Sequence, residues 1–332
     1  MTGLQSKGIV CEELSGPTAL RLDQFCVPEP GPEDVLVEVK AASLNFPDLL
    51  MTYGKYQFKP ELPFVIGMEG AGEVIGVGAG VGGYRVGDAV LFRGKTGAVS
   101  QFKLCSTSDI SCLPRTLSFE TGAAFGVTFQ TAYVALAKRG GLRAGETLVV
   151  FGAGGGVGQA SVAVGKALGA TVIACASDED KLEIAKNSGA DFLINYKTEN
   201  LVQKILELTG GDGVDIVLDP VGGQLLEEAV HCLSWQGRLL IVGFAGGSFG
   251  KPDLATIQNK GLALIGVRAG EYGRRNPFAG QKAMEELLKL TEKHELQPYV
   301  GKVWAFKDTP RALRDMEARK VVGKQVVTIS SC

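Results

Sequence analysis

The residues of this chain best suited to chemistry are glycines. Residues 147–164 read TLVVFGAGGGVGQASVAV. An apolar run at 148–151 is followed at once by glycines at 152, 154, 155, 156 and 158, and then by Val157, Ala160, Val164 and Leu168 at helical spacing. Strand, tight glycine turn and helix form the opening of a dinucleotide-binding βαβ unit. Glycine lets the backbone approach a pyrophosphate, and the N–H groups at the helix start point at its charge. Read as G-x-G-x-x-G, the frame ending at Gly158 has Ala153 first and Gly155 second. The spacing alone is a loose match; its place between strand and helix gives it meaning.

The next chemistry-bearing residues concern which dinucleotide. In sites for NAD, an acidic side chain about 20 positions past the first glycine takes the ribose 2′-hydroxyl. Here the second strand ends Ala174-Cys175-Ala176-Ser177, with no carboxylate at the expected position. Asp178, Glu179 and Asp180 follow, but Ser177-x-x-Asp180 reads as a capping box that would occupy those acids at a helix N-terminus. Ser177 and Lys181 are then placed to face a 2′-phosphate, so NADPH is the expected cofactor. A charge-assisted contact of roughly 1.5–3 kcal/mol would set a preference of about tenfold or more.

These residues need a scaffold. From 147 onward the chain alternates strands (147–151, 171–176, 192–195, 214–218, 238–242 and 262–267) with helix-length segments. That pattern gives a doubly wound parallel sheet. Residues 1–115 are β-rich, with Val35, Val37 and Val39 alternating and a short helix over 46–53 that has Pro47 in its first turn. Residues 116–146 carry two helical patterns joined by GVTFQTAY (126–133). Past 268, an amphipathic helix (Met284, Leu287, Leu288, Thr291), a helix opened by Asp308 and Pro310, and a strand over 325–329 are too little for a core of their own. They are expected to pack back on the first domain. The fold class is therefore α/β: a Rossmann-type domain over 124–267, and a discontinuous β-rich domain from 1–123 and 268–332.

Composition narrows the function. The chain has 332 residues, 45% hydrophobic and 21% charged, with a net charge of −2. That suits a globular enzyme of about two domains and offers no basic field for nucleic acid or anionic lipid. The seven cysteines are scattered without a C-x-x-C, and the two histidines, His231 and His294, are isolated in predicted helices or at their ends. This argues for a reducing compartment and against a metal site. No apolar run reaches membrane-span length. The cytoplasm is the expected location, or mitochondria if a transit peptide has been removed.

Taken together, AASLNFPDLL (41–50), LPFVIGMEGAGEV (62–74), GVTFQTAYVAL (126–136), GAGGGVGQA (152–160), VDIVLDPVGG (214–223), GRLLIVGFAGG (237–247) and GKQVV (323–327) resemble the zinc-independent quinone oxidoreductase (zeta-crystallin-like) branch of the medium-chain dehydrogenase/reductase superfamily. The likeness spans nearly the whole chain and implies that the β-rich domain is GroES-like. Zinc-dependent members place a cysteine near Asn45 or Phe46 and a Gly-His-Glu where this chain has Gly67-Met68-Glu69. They also carry a four-cysteine loop after the strand ending near Phe92. None of those ligands is present here.

The resemblance also assigns roles. It implies Gly155, Gly156 and Val157 against the pyrophosphate and nicotinamide, and Ser177, Lys181 and Tyr196 around the 2′-phosphate. Val221, Gly243, Phe244 and Val267 would border the nicotinamide half, with Asn45 and Thr128 lining the hydride-transfer pocket. Some relatives have a tyrosine one turn beyond the asparagine; here that face holds Leu50, with Tyr53 and Tyr56 further on, so Tyr53 is the nearest phenol. The expected reaction is NADPH-dependent reduction of a quinone, or of an enone or enoyl thioester, with Asn45 and a hydroxyl of Tyr53 or Thr128 donating to the developing oxyanion. A protein that binds NADPH with little turnover is the reading from another class. A basic patch at Arg268, Arg274 and Arg275 would favour a phosphorylated thioester carrier. The resemblance further implies a homodimer paired along the last strand of the Rossmann sheet, and residues 262–267 (LALIGV) would make a poor exposed edge.

Overall fold

In the structure, a computed structural model that describes residues 3–329, the six apolar runs form one parallel sheet. Its strands are Thr147–Phe151, Thr171–Ala176, Phe192–Asn195, Val214–Asp219, Leu233–Ile241 and Ala263–Gly266. Numbered by chain order, they lie 3-2-1-4-5-6 across the sheet, the doubly wound order that reverses beside the first strand. Val149 of that strand aligns with Ile173 on one side and Val217 on the other. Leu148 through Phe151 are fully buried, which is why this strand reads as a continuous apolar run. The helix Gly156–Ala167 leaves the glycine turn, and Glu179–Asn187 follows the second strand. Among the described residues Ala263–Gly266 pairs only with Leu233–Ile241 and is an edge of the sheet, with Leu264 38% exposed.

The β-rich unit is built around the strand Asp34–Leu44, whose Val35, Val37 and Val39 point into the core. It pairs antiparallel with Glu69–Val77 on one side and with the strand Lys324–Thr328 on the other. Ser43 stands opposite Glu69, and Leu44 opposite Gln325. This register delivers Glu69 and Lys324 to the end of the central strand, where Asn45 caps the short helix Phe46–Thr52.

The structure divides into two compact units: residues up to Val127 with those from Val300, and Thr128–Tyr299. Both boundaries differ from the expected ones. Residues 126–133 form a helix of their own, Gly126–Tyr133, and the break falls within it rather than before 124. The helices Ala269–Arg275 and Pro277–His294 belong to the Rossmann-type unit, not to the β-rich one. Tyr133 Oη donates to Glu286 Oε2 at 3.0 Å and Lys138 pairs with the same carboxylate, while Ala283 and Leu287 are fully buried. Among the described residues, no helix is long and apolar enough to cross a membrane.

Candidate active site

The glycine turn is built by close approach. Gly152 has φ of 59°, open to glycine at little cost. A Cβ at Gly158 would lie 2.1 Å from the Gly152 carbonyl oxygen, so helix and turn meet only because residue 158 has no side chain. Gly155 caps the helix Gly156–Ala167, with its N–H donated to Gly152 O at 2.9 Å. Gly155 is exposed, and Gly156 and Val157 are the first two helical residues. The first turn of this 12-residue helix thus presents backbone N–H groups beside an uncluttered surface, a cradle that fits a pyrophosphate.

The same turn reaches the second cluster. A Cβ at Gly154 would lie 2.3 Å from Lys181 Cβ, so Lys181 packs directly on the glycine turn. Lys181 Nζ donates to Ser177 Oγ at 3.0 Å and to Asp178 Oδ2 at 2.6 Å. Tyr196 joins them: burial pushes its phenol up, while a hydrogen bond with Ser177 and the charge of Lys181 pull the other way. Ser177, Lys181 and Tyr196 are therefore brought together, an ammonium with two hydroxyls, a donor set that fits a phosphate. The expected capping box is not formed. Asp178, not Ser177, is the N-cap of Glu179–Asn187 and accepts Lys181 N–H at 3.1 Å, while the Ser177 hydroxyl donates to Asp178 Oδ2 at 2.8 Å.

On the other side of the first strand, Val221 touches the glycine turn; a Cβ at Gly152 would meet its side chain at 2.9 Å. Val221 O accepts Gly246 N–H at 2.8 Å, and Gly243 packs within 3.2 Å of Pro220 O by the same measure. Phe244 lies against Phe249, ring centroids 4.5 Å apart, and buried Val267 donates its N–H to Ile241 O at 2.8 Å. Asp219 organises this region: its Oδ1 accepts the N–H groups of Val221 (2.8 Å) and Gly222 (2.9 Å). Burial holds its carboxyl above the ordinary range against those two bonds, and Oδ2 has no hydrogen-bond partner among the described residues.

The β-rich unit holds a buried polar network centred on Asn45. Lys324 Nζ donates to Asn45 Oδ1 (2.7 Å), Glu69 Oε1 (2.9 Å) and Leu44 O (3.2 Å), which uses all three of its hydrogens. Asn45 Nδ2 donates to Glu69 Oε1 at 2.9 Å, and Val127 N–H donates to Glu69 Oε2 at 2.6 Å. Side-chain exposure is 5% for Lys324 and 1% for Glu69, so the ion pair is desolvated. The amide orientation of Asn45 follows from chemistry, since an ammonium only donates and a carboxylate only accepts. One Nδ2 hydrogen is committed to Glu69, and the other is the amide's remaining donor.

Asp48 lies beneath this network and accepts Asn45 N–H at 2.8 Å. Complete burial pushes its carboxyl up to about 7, with the Asn45 bond and the Lys324 charge opposing and Glu69 adding to the rise. Thr128, 3% exposed, opens the second unit. Tyr53 is placed elsewhere: its hydroxyl donates to Glu317 Oε1 at 2.7 Å in an exposed contact, so the phenol is not part of the Asn45 network. Motif reading alone left out Glu69, Lys324 and Asp219, although each lies within a quoted motif.

Where zinc-dependent proteins of this type carry a histidine, Met68 packs against the hydrophobic core. Among the described residues, no group of three or more His, Cys, Asp and Glu side chains is arranged to hold a metal ion. The basic patch is partly neutralised, since Arg274 and Arg275 both pair with Glu271.

Residues 31–142 match the alcohol dehydrogenase GroES-like domain family, and residues 156–293 match the zinc-binding dehydrogenase family. A quinone oxidoreductase-like protein 2 homolog of Nematostella vectensis is 33% identical over 98% of this chain and 90% of its own length. Among solved structures, a probable oxidoreductase from Mycobacterium abscessus is 36% identical, with a TM-score of 0.90 over 99% of this chain and 100% of that one. Escherichia coli quinone oxidoreductase complexed with NADPH is 29% identical, with a TM-score of 0.87 over 98% of this chain and 100% of that one.

Proposed function

The chain belongs to the quinone oxidoreductase branch of the medium-chain dehydrogenase/reductase superfamily, and from that premise we propose that it is an NADPH-dependent, zinc-independent quinone reductase. The observation that carries the reading is the Ser177–Lys181–Tyr196 cluster seated against the glycine turn. An ammonium and two hydroxyls suit a 2′-phosphate, and the neighbouring helix start suits a pyrophosphate. The NADPH complex of the E. coli relative supports the same cofactor.

When bound, NADPH supplies the hydride. The chain's part is to stabilise the negative charge that grows on the acceptor oxygen. Asn45 donates its remaining amide hydrogen to that oxygen. Lys324 on Asn45 Oδ1 polarises the amide and fixes its direction, so a buried ammonium does electrostatic work that a metal does elsewhere. Tyr53, whose hydroxyl donates to Glu317, has no part in this reading. The chain forms a homodimer along the edge strand Ala263–Gly266; a monomer mass by light scattering at micromolar concentration refutes that arrangement.

The test is a paired titration with NADPH and NADH by intrinsic fluorescence, followed by 9,10-phenanthrenequinone while NADPH absorbance is recorded. NADPH binding with oxidation on quinone addition is the expected result. Tight NADPH binding without oxidation refutes the quinone assignment and directs the assay to enones and enoyl thioesters.

A further inference from the structure

We infer that Asp178 is a specificity-determining residue that narrows the preference for NADPH over NADH, because one carboxylate holds the groups that would meet a 2′-phosphate. The inference rests on the NADPH reading and deepens it. Asp178 Oδ2 accepts Lys181 Nζ at 2.6 Å and Ser177 Oγ at 2.8 Å, while Oδ1 accepts the Lys181 backbone N–H at 3.1 Å. The cluster's ammonium therefore already has a counter-charge. A phosphate entering beside Ser177 must share Lys181 with Asp178 and faces that carboxylate as a like charge. A ribose 2′-hydroxyl has the opposite experience: it can donate to Asp178 Oδ2, as it does to the acidic residue of an NAD site.

Neighbouring acids do not take this role. Glu179 accepts a hydrogen bond from Asn195 Nδ2 at 3.1 Å, and Asp180 is exposed. The stem of Lys181 is anchored, since its Cβ and Cα pack on Gly154. Lys181 thus favours the phosphate and Asp178 the hydroxyl, at one site and through one hydrogen bond. Burial alone would raise the Asp178 carboxyl, but the bonds from Lys181 and Ser177 hold it below the ordinary range, so the opposition persists at neutral pH.

The experiment uses the full chain and two nicotinamide-free probes, 2′,5′-ADP and 5′-AMP, titrated calorimetrically. The variants are Asp178→Asn and Lys181→Met. Asn is as good an N-cap as Asp, so Asp178→Asn keeps the helix start while removing the charge. In the wild-type chain the two affinities are expected to lie within about tenfold of each other, because the charge-assisted gain at Lys181 is offset. Asp178→Asn should raise the 2′,5′-ADP to 5′-AMP affinity ratio about tenfold, one unit of charge interaction at a partly exposed site. Lys181→Met should lower 2′,5′-ADP affinity and leave 5′-AMP nearly unchanged. An unaltered ratio in Asp178→Asn overturns the inference about Asp178 while leaving the NADPH reading in place. No loss of 2′,5′-ADP affinity in Lys181→Met overturns the NADPH reading itself, and the inference with it.

Discussion

Replacing Lys324 by methionine removes one cation from a site with almost no access to water. The substitution keeps most of the side chain's length and leaves Glu69 Oε1, Asn45 Oδ1 and Leu44 O without the donor that served all three. Breaking a buried ion pair from one side strands the other charge, at a cost of about 3–5 kcal/mol. For a unit of this size, about 2–4 °C per kcal/mol gives a fall in midpoint of about 6–20 °C for the β-rich unit. Differential scanning fluorimetry, with calorimetry to separate the transitions of the two units, provides the readout. The double variant Lys324→Met, Glu69→Met supplies the control. With neither charge left to strand, it should regain a large part of the loss, since apolar replacements of buried pairs are often neutral or stabilising. A loss below about 1 kcal/mol in the single variant would place the pair in the weak class of exposed bridges. A double variant no more stable than the single one would show that the loss comes from packing rather than from an uncompensated charge. Either result refutes the electrostatic account.

Asn45→Ala should lower kcat/KM about 10²–10³-fold, the usual effect of deleting one oxyanion donor, with the Kd for NADPH unchanged. Asp48 yields a pH prediction. Its folded pKa of about 7 lies above the ordinary 3.8, so the folded state holds the extra proton between those values. The stability this group contributes is present below pH 4 and is lost as pH rises through 7. Asp48→Asn has no proton to lose and can still accept the Asn45 N–H. Its stability relative to wild type should rise by about 3 kcal/mol from pH 5 to pH 8, measured by denaturant unfolding at each pH. Gly158→Ala puts a methyl 2.1 Å from Gly152 O. It should cost about 2–3 kcal/mol or more and weaken dinucleotide binding, read by thermal shift with and without NADPH.

Much of the Rossmann-type unit was legible because buried parallel strands read as unbroken apolar runs. Runs such as 147–151 and 171–176 match the observed strands residue for residue. The allegiance of 268–299 was not legible. Met284, Leu287 and Thr291 mark an apolar stripe on a helix, but a stripe does not say which unit it covers. That is decided by Tyr133 and Lys138 meeting Glu286, a contact between residues about 150 positions apart. The cap at Asp178 was missed by one residue because Ser177 is also a good capping type, and the helix begins at Glu179 with Asp178 Oδ1 taking the Lys181 N–H. Asn45 was reached through family resemblance. Lys324 was not, since a lysine beginning a strand reads as solvated, and its burial comes from the register of that strand beside Asp34–Leu44. Tyr53 was read from its place on a short helix, which says nothing about Glu317 at the far end of the sequence.

The separation of Lys324 from Asn45, 279 positions along the chain, also orders events in time. During synthesis the central strand of the β-rich unit, with Asn45 and Glu69 at its end, emerges long before its neighbour Lys324–Thr328. Thr128–Tyr299 is contiguous and can fold as it leaves the ribosome. Until the last strand arrives, Glu69 lacks its counter-ion and residues 41–44 lack their partner, while residues 34–38 can already pair with the strand Phe102–Ser106. A chain that stops short of residue 324 therefore has the whole of the contiguous unit but lacks the ammonium that joins Asn45 to Glu69.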